Sequence, residues 1–288
     1  MRKLRKLSTP YLFLIPALFG LLLFKIYPII SAFVESLFTM NFISREKQFA
    51  GLDNYMSLFA DPVFWNSVNV TFWFNLLINP LQIALAFALA LLLNVKIKKI
   101  AWFRGINFIP VAVSVPTACL LWDIMLNPEV GIVNSLLMTA GIAPQPFMTD
   151  SSQSLASIIA IASWRGVGYW ALFFLAGLQE VPAAPYEASS IDGASRWQQF
   201  RHITYPMMKR TLTFVTVSVT VANMFLFAPM YILTNGGPRQ STNVLMLESY
   251  NSAFLYSDMG RASAIVVLLL LVTLLVIAVQ FRLLRAKH

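Results

Sequence analysis

Charged side chains are scarce in this chain: they make up 11% of its 288 residues, while 58% of the residues are hydrophobic. A soluble domain carries about 25% charged and about 45–50% apolar residues. The composition therefore excludes an ordinary water-soluble domain and favours a protein that lies in a membrane. The net charge of +9 does not indicate nucleic-acid binding, because the basic residues lie between long apolar runs, where membrane topology explains them better.

Residues that bind metals or form cross-links are almost missing as well. The chain has one cysteine, Cys119, and two histidines, His202 and His288. It cannot form an internal disulfide, and it offers no ligand cluster for a metal. The enzyme patterns His-Glu-x-x-His and Gly-x-Ser-x-Gly are absent, and so is the phosphate-binding pattern Gly-x4-Gly-Lys-Ser/Thr. We expect no catalytic residue, cofactor or metal in this chain.

Long apolar runs are what the sequence has in abundance. A helix needs about 20 mainly apolar residues to cross the hydrocarbon core of a bilayer. The segments that meet this condition have the approximate bounds 11–34, 68–94, 105–126, 155–178, 211–233 and 261–281. The sequence therefore predicts an all-α membrane protein in which a six-helix transmembrane domain covers residues 11–281, between terminal segments at 1–10 and 282–288.

Two of these segments have features of another structure. The basic N-terminus followed by an apolar run is typical of a signal peptide, but the run continues to about Val34 without a cleavage site, so we interpret it as an uncleaved first span. In the fifth segment, polar and apolar residues nearly alternate between Thr213 and Thr220, which is a strand pattern. A lone strand in hydrocarbon would leave its backbone groups unpaired, so we predict a helix there as well.

The lysines and arginines between the spans predict the orientation of the chain. One side of the predicted membrane has only Arg45, Lys47 and Arg239. The other side has Arg2, Lys3, Arg5, Lys6, Lys96, Lys98, Lys99, Arg104, Arg196, Arg201, Lys209, Arg210, Arg282, Arg285 and Lys287. Because cytoplasmic loops carry the excess of basic residues, we predict that both termini are cytoplasmic.

The cytoplasmic loop at residues 179–210 is more than a polar turn, since it has the signals of two short helices at about 185–204. Pro185 suits the first position of a helix. Glu187 lies in the first turn, where the helix dipole favours an acid. Gly193 can end this first helix in a left-handed conformation.

A second helix is predicted directly after the first. Ser195–Gln198 fits a capping box, and Trp197, Phe200 and Thr204 fall on one face of the helix. We expect Pro206 to stop this helix before the fifth span. The resulting pair has an apolar face, which is either a docking surface for another protein or the contact of a hairpin with the membrane surface.

Conspicuous residues of this loop are Glu187-Ala188-Ser189, then Gly193, and then Ile203 and Pro206. Their spacing resembles the EAA signature of ABC importer permeases, which is Glu-Ala-Ala, three residues, Gly, nine residues and Ile-x-Leu-Pro. Ser189 replaces the second alanine, and Tyr205 replaces the leucine. Further matches that are similar to the carbohydrate-uptake branch, with its maltose and glycerol-3-phosphate permeases, are Tyr27-Pro28, Asn235-Gly236-Gly237-Pro238 and Met259-Gly260.

This resemblance implies a type I ABC importer permease whose loop supplies coupling helices for a separate ATPase, which would bind ATP and Mg. The residues that would belong to that contact are Glu187, Ala188, Ser189, Gly193, Ile203 and Pro206. The implied partners are a second similar permease, two ATPase subunits and an extracellular or periplasmic solute-binding protein, in the plasma (inner) membrane of a bacterium or archaeon. The expected solute is a sugar, an oligosaccharide or a glycerol-phosphate-type molecule.

One charged residue, Arg165, lies near the middle of the fourth span. A charge at that depth is costly and by default marks a functional site, so Arg165 is a candidate for the substrate path. The alternative is an ion pair with Asp123, or with an acid of a partner subunit, that holds helices together.

The fifth span carries a polar stripe, because Thr216, Thr220, Asn223 and Phe227 follow steps of four, three and four residues. Polar side chains and an aromatic ring suit a sugar path, and Asn223 and Phe227 are the candidates for it. Threonine and asparagine side chains also hold membrane helices together, which is the alternative interpretation.

A different class of function is an ion-coupled secondary transporter of a small polar solute. Such carriers use acids buried near the middle of the membrane. Asp123, near one end of the third predicted span, is the only acid in any of the six. We keep this function as the alternative to a permease subunit.

Overall fold

The computed structural model describes residues 13–40, 46–95 and 98–284 of the chain. They form two compact units: the first comprises the chain up to Phe64 together with Glu248–Leu270, and the second comprises Trp65–Leu247 and the chain from Leu271. The predicted N-terminal segment at 1–10 and most of the predicted C-terminal segment at 282–288 lie outside the described residues.

Helices dominate the described residues, which confirms the predicted all-α class, and two three-residue strands form a small antiparallel hairpin. The elements in chain order are α1 Phe13–Glu35, β1 Phe38–Met40, β2 Lys47–Phe49, α2 Asp53–Ala60, α3 Pro62–Leu93, α4 Ile100–Ala112, α5 Val115–Met125, α6 Ile132–Thr139, α7 Ser154–Gln179, α8 Ala184–Ile191, α9 Arg196–Gln199, α10 Tyr205–Met207, α11 Lys209–Met224, α12 Ala228–Leu233, α13 Leu245–Phe254 and α14 Met259–Leu284. A π-helical turn, Leu22–Ile26, interrupts α1, and a second one, Phe200–Thr204, joins α9 to α10.

Five helical segments of the described residues are long and apolar enough to cross a membrane. They are Phe13–Glu35, Pro62–Leu93, Ser154–Gln179, Lys209–Leu233 and Met259–Leu284. Each coincides with one of the predicted spans. The bent pair α4 and α5 brings the number to six if it is counted as one span.

The third predicted span is therefore not one straight helix, because α4 and α5 meet at 95°. Val113 is extended at the junction, and Ser114 caps α5 by accepting a hydrogen bond from the Thr117 amide at 3.3 Å. Pro116 occupies the first turn of α5, where its missing N–H costs nothing. These local start signals favour a new helix over the continuation of α4.

The fifth span is helical, as predicted, although its sequence alternates like a strand. It is broken near its end, since α11 stops at Met224 and α12 begins at Ala228. Pro229 lies in the first turn of α12 and cannot donate a hydrogen bond back to the preceding turn. The second unit thus contains two broken spans.

The first unit is held together by polar contacts. The Asn54 side chain donates to the carbonyls of Ser36 and Phe38 at 2.8 and 3.0 Å. Arg261, in the first turn of α14, forms ion pairs with Asp61 and with the buried Glu248.

The core of the second unit lies where α3, α7 and α11 meet. Small residues of α3, Ala86 and Ala90, pack against Phe174 of α7 and Val215 of α11. Gly177 permits a close approach of α7 and α11, because a Cβ atom there would lie 2.5 Å from the Thr211 hydroxyl. Small residues at helix contacts are the usual means by which membrane helices pack closely.

Candidate functional site

The second unit encloses a cavity of about 400 Å³. Its walls come from α3, α4, α5, α7, α11 and α12, and the polar groups that line it include Gln82, Arg165 and Asn223. The structure therefore brings together two of the three predicted path residues, Arg165 and Asn223, from different helices. Phe227 is not among the lining residues.

Asn223 belongs to a cluster of three amide side chains, which we call the amide cluster: the half-buried Asn79 and the buried Gln82 and Asn223. Its Nδ2 atom donates to Asn79 Oδ1 at 2.8 Å and to Gln82 Oε1 at 3.1 Å. Gln82 Nε2 in turn donates to the backbone carbonyl of Ala162 at 3.3 Å. The cluster joins α3, α7 and α11, and it satisfies polar groups that would be costly if left unpaired inside the protein.

At the cavity, two hydrogen-bonding positions of this cluster are unused within the described part of the chain. Oδ1 of Asn223 accepts no hydrogen bond, and Nε2 of Gln82 uses one of its two N–H groups, on the Ala162 carbonyl. Both residues line the cavity. A hydroxyl group can donate to the first and accept from the second, so the amide cluster is suited to binding a solute that carries hydroxyls.

Arg165 lies half-buried on α7, and its Nε donates to the carbonyl of Val113 at 3.2 Å. Val113 is the residue at which α4 ends and the chain bends. The predicted alternative of an ion pair with Asp123 is wrong: among the described residues, the ion pairs join Lys47 to Glu35 and Arg261 to Asp61 and Glu248. Within the described part of the chain, a backbone carbonyl rather than a carboxylate contacts this charge. An ion pair with an acid of a partner subunit stays a prediction.

Phe227 lies in the break between α11 and α12, half-buried, with its ring 6.4 Å from that of Tyr231. The predicted helix face shared by Asn223 and Phe227 does not exist, because the helix ends between them. Thr220, on the same predicted stripe, is buried and accepts a hydrogen bond from Gln280 at 2.8 Å. That contact is the helix-holding role that was the alternative interpretation for the threonines.

The loop between the fourth and fifth spans forms the predicted pair of short helices, residues 184–207, which we call the helix pair. Gly193 has a φ of +76°, the left-handed conformation expected at the end of the first helix. The capping box is also present, since Ser195 Oγ accepts from the Gln198 amide at 3.3 Å and Gln198 Oε1 accepts from the Ser195 amide at 2.7 Å. Both local predictions are confirmed.

The two helices of the pair are braced by one side chain, Gln199. Its Nε2 atom donates to Ser189 Oγ at 3.0 Å and to Ser190 Oγ at 2.9 Å. A second link joins the hydroxyls of Tyr186 and Thr204 at 2.8 Å. Ser189, which departs from the signature, therefore supplies a hydroxyl that an alanine would lack.

Pro206 does not stop the second helix, contrary to the prediction. The chain takes a π-helical turn at Phe200–Thr204, in which the amide of Tyr205 donates to the carbonyl of Phe200. Pro206 then lies in the first turn of α10, and the interruption comes at Met208. The wider turn accommodates a residue that has no N–H to donate and whose ring would clash within a regular helix.

Trp197 and Phe200 share a face of the second helix, as predicted, because their rings stack with centroids 5.4 Å apart. Phe200 is turned towards the membrane domain, with its ring 6.1 Å from that of Phe87, and Thr204 is buried. Trp197 is 67% exposed, and Ile191 of the first helix is 87% exposed. The signature residues Glu187, Ala188, Gly193 and Pro206 are exposed, whereas Ser189 and Ile203 are half-buried. The helix pair thus has one side held by the chain and one open side.

Comparison with known protein families identifies the fold and the class of function. The family described as binding-protein-dependent transport system inner membrane component matches residues 2–287. The chain belongs to this family. It is the permease subunit of an ABC importer, and the resemblance found in the loop signature is confirmed.

Individual relatives of this permease agree with the assignment. It is 38% identical to the probable ABC transporter permease protein YurN of Bacillus subtilis, over 95% of this chain and 94% of that protein. It is 34% identical to the arabinooligosaccharides transport system permease protein AraP of the same organism, over 96% of this chain and 89% of that protein. It is 31% identical to the sn-glycerol-3-phosphate transport system permease protein UgpA of Agrobacterium fabrum, over 95% of this chain and 93% of that protein.

A solved structure has the same fold as this permease. It is a bacterial alginate ABC transporter in complex with a periplasmic protein that binds an alginate pentasaccharide. One of its chains matches with a TM-score of 0.86 over 99% of this chain and 98% of that chain, at 22% sequence identity. This likeness supports the predicted type I importer fold.

The part of the permease site that sequence reasoning missed lies on α3. Asn79 and Gln82 hold Asn223, and Asn75 continues the series by accepting a hydrogen bond from the Asn79 side chain at 3.3 Å. Asn75, Asn79 and Gln82 follow steps of four and three in an otherwise apolar span. That spacing places three amides on one helix face. It is the pattern in the sequence from which these site residues could have been predicted.

Proposed function

We propose that this permease forms half of the translocation path of an ATP-driven, binding-protein-dependent importer, the other half being a second, similar permease subunit. The solute is a sugar, an oligosaccharide or a glycerol-phosphate-type molecule. The names of relatives support this range, since they include arabinooligosaccharides, lactose, trehalose/maltose and sn-glycerol-3-phosphate transport.

The observation that carries the path proposal is the open donor and acceptor of the amide cluster at the cavity. In this proposal Asn223 and Gln82 bind solute hydroxyls as the solute passes. Arg165 contributes to the cavity wall. Phe227 lies beside Leu226, which lines the cavity, and its ring offers an apolar surface at the edge of the path.

The helix pair is the proposed contact with a separate ATPase, which binds ATP and Mg. It joins α7 directly to α11, so a push on it reaches two helices that line the cavity. Glu187, Ala188, Gly193 and Pro206 are exposed for such a contact. Ser189 and Ile203, which are half-buried, hold the shape of the pair beneath that contact. The permease itself performs no catalysis in this scheme.

In the proposed orientation, the helix pair and both termini are cytoplasmic in a bacterial or archaeal cell. An extracellular or periplasmic solute-binding protein then delivers the solute to the opposite side. The charge distribution of the loops supports this arrangement. Labelling of single cysteines checks it: an impermeant reagent on intact cells or spheroplasts should modify Ser151→Cys but not Gln198→Cys, and the reverse pattern would overturn the orientation.

Transport by the assembled complex tests the function as a whole. The permease would be reconstituted in vesicles with its second permease, the ATPase subunits and the binding protein, and uptake of labelled maltose, arabinooligosaccharide and sn-glycerol-3-phosphate would be measured. We expect ATP-dependent uptake of at least one of them. Uptake driven by an ion gradient without the ATPase chains would instead support the secondary-transporter alternative, which family membership does not favour.

A further inference from the structure

Arg165 contacts the end of a helix, and this contact accounts for its charge. The last carbonyl groups of an α-helix lack partners within the helix and carry a partial negative charge. Arg165 donates at 3.2 Å to the carbonyl of Val113, the extended residue that directly follows α4, and so places its charge at the C-terminal end of this helix. A cation is favourable at this point even without a carboxylate partner.

A glycine makes the second contact between the same two helices. Gly168 follows Arg165 by three residues on α7 and therefore lies on the same face. A Cβ atom at Gly168 would lie 2.5 Å from the carbonyl oxygen of Asn107 in α4. The backbones of α4 and α7 are therefore in direct contact, and α4 is fixed to α7 at two points near its end.

These two contacts determine the shape of the cavity wall. Beyond Val113 the chain turns by 95° into α5, which lines the cavity with Ala118 and Cys119. The direction of α5 depends on where α4 ends. If the end of α4 moved away from α7, the wall formed by α5 would move with it.

We infer that Arg165 is a positioning residue of the transport cycle: its guanidinium and Gly168 together fix the end of α4 on α7, and thereby set the bend that shapes the cavity. This role rests on the proposed function of the cavity as the solute path. It differs from a solute-binding role for Arg165, because the contact is made with the protein backbone and requires no particular solute.

Cys119 provides a natural probe of the wall. It is the only cysteine of the chain, it lines the cavity, and it is 1% exposed. The rate at which a water-soluble maleimide modifies it in the assembled, nucleotide-free complex measures how often the wall opens. We expect both variants, Arg165→Gln and Gly168→Ala, to raise this rate about tenfold or more. Arg165→Gln loses the hydrogen bond of a charged group, and Gly168→Ala places a methyl group 2.5 Å from the Asn107 carbonyl oxygen.

The chain offers matched controls for both changes. Arg104 also donates to a carbonyl at a helix end, that of Leu93, at 2.9 Å, but it lies outside the cavity lining. Gly105, the control for Gly168, has space for a side chain, since a Cβ atom added there would have no neighbouring atom within 4 Å. We expect Arg104→Gln and Gly105→Ala to leave the modification rate of Cys119 unchanged.

A conservative variant and an uptake measurement separate the two roles of Arg165. Arg165→Lys keeps a donor for the Val113 carbonyl and should restore most of the protection of Cys119. In uptake experiments Arg165→Gln should lower the maximal rate and leave the half-saturating solute concentration unchanged, since no solute contact is lost.

The inference fails if Arg165→Gln impairs uptake while Cys119 stays protected, which is the result for a solute-binding charge. It fails equally if Arg104→Gln exposes Cys119 to the same degree. Gel filtration shows whether each variant assembles; if Gly168→Ala does not, Arg165→Gln decides alone. Failure of the proposed solute path would appear differently. Asn223→Ala would then take up solute normally, while the modification rates of Cys119 in the Arg165 and Gly168 variants would still be as expected here.

Discussion

The helix pair and the cavity differ in how far apart along the chain their bonded residues lie. Gln199 bonds to serines nine and ten positions away, whereas Asn223 bonds to Gln82 and Asn79 at separations of 141 and 144 positions. The first region is built by local contacts and is largely exposed. The second requires helices from distant parts of the chain to be in place. A single change in the pair should therefore act on coupling and a single change in the cluster on the passage of solute, with the assembled complex retained in both cases.

The largest expected effect is at the turn of the helix pair, where Gly193→Asp should strongly reduce coupling. The left-handed backbone at this position costs a residue with a Cβ atom about 1–2 kcal/mol, and the new charge lies at the proposed contact with the ATPase. We expect co-purification of the ATPase and solute uptake to fall by about tenfold or more.

Glu187→Ala removes an exposed acid from the first turn of the same pair and should have the same effect to a lesser degree. The permease should insert in the membrane at its normal level in both variants, because the spans are untouched. Wild-type uptake and ATPase co-purification in both would mean that the pair is a passive hairpin.

A smaller effect is expected in the cavity, where Asn223→Ala should reduce uptake by about five- to tenfold, since it leaves buried amides without their partner. Basal ATPase activity and assembly should be largely retained. Thr216→Ala is the matched control on the same helix, because Thr216 lies outside the cavity lining.

Phe227→Ala tests the other predicted path residue in the same assay, and a reduction there would support a path that continues beyond the cavity. If both Asn223→Ala and Phe227→Ala assemble and transport normally, neither residue belongs to the path.

The brace within the helix pair should show a weaker effect. Gln199→Ala removes partly solvated hydrogen bonds, each contributing about 0.5–1.5 kcal/mol, and should lower coupled uptake by about two- to threefold. Gln179→Ala, an exposed glutamine before the pair, serves as the control. An effect of Gln199→Ala as large as that of Gly193→Asp would show that the pair depends on the brace more than on the turn.

The smallest effect is expected outside both regions, at the ion pair between Asp61 and Arg261. It concerns the contribution of this pair to the stability of the protein. Burial tends to raise the pKa of the Asp61 carboxyl, but the Val63 amide and the Arg261 guanidinium outweigh burial and hold the pKa below its usual value of 3.8. A depressed pKa in the folded state gives stability that is present above the unfolded value and lost as the pH falls through the folded one.

Asp61→Asn should therefore lower the melting temperature at about pH 5. The additional fall in melting temperature between about pH 5 and about pH 3 should be smaller in the variant than in the parent. The expected change in stability is about 1 kcal/mol or less, as for most ion pairs that solvent can reach. Scanning fluorimetry of the purified permease at each pH measures this change. Equal melting temperatures for the variant and the parent at every pH would show that the pair contributes nothing.

Local rules predicted the helix pair well and failed at one position. The ends set by Gly193 and by the Ser195–Gln198 box depend on residues within four positions of each other, so the sequence contains the whole interaction. Pro206 was mispredicted because the chain before it takes a wider, π-helical turn that accommodates the proline, and Phe200 of this turn packs towards Phe87, a contact between distant residues.

The sequence by itself determined the number of apolar segments, their helical state and the two short helices between the fourth and fifth spans. Hydropathy, backbone pairing in hydrocarbon and capping act over a single turn or a single span. Only the tertiary structure decided that the third span bends by 95°, that Arg165 caps it, and that Asn223 meets Gln82 across the unit. These features arise from close packing between helices, and the pattern within one segment carries no information about which segment will lie beside it.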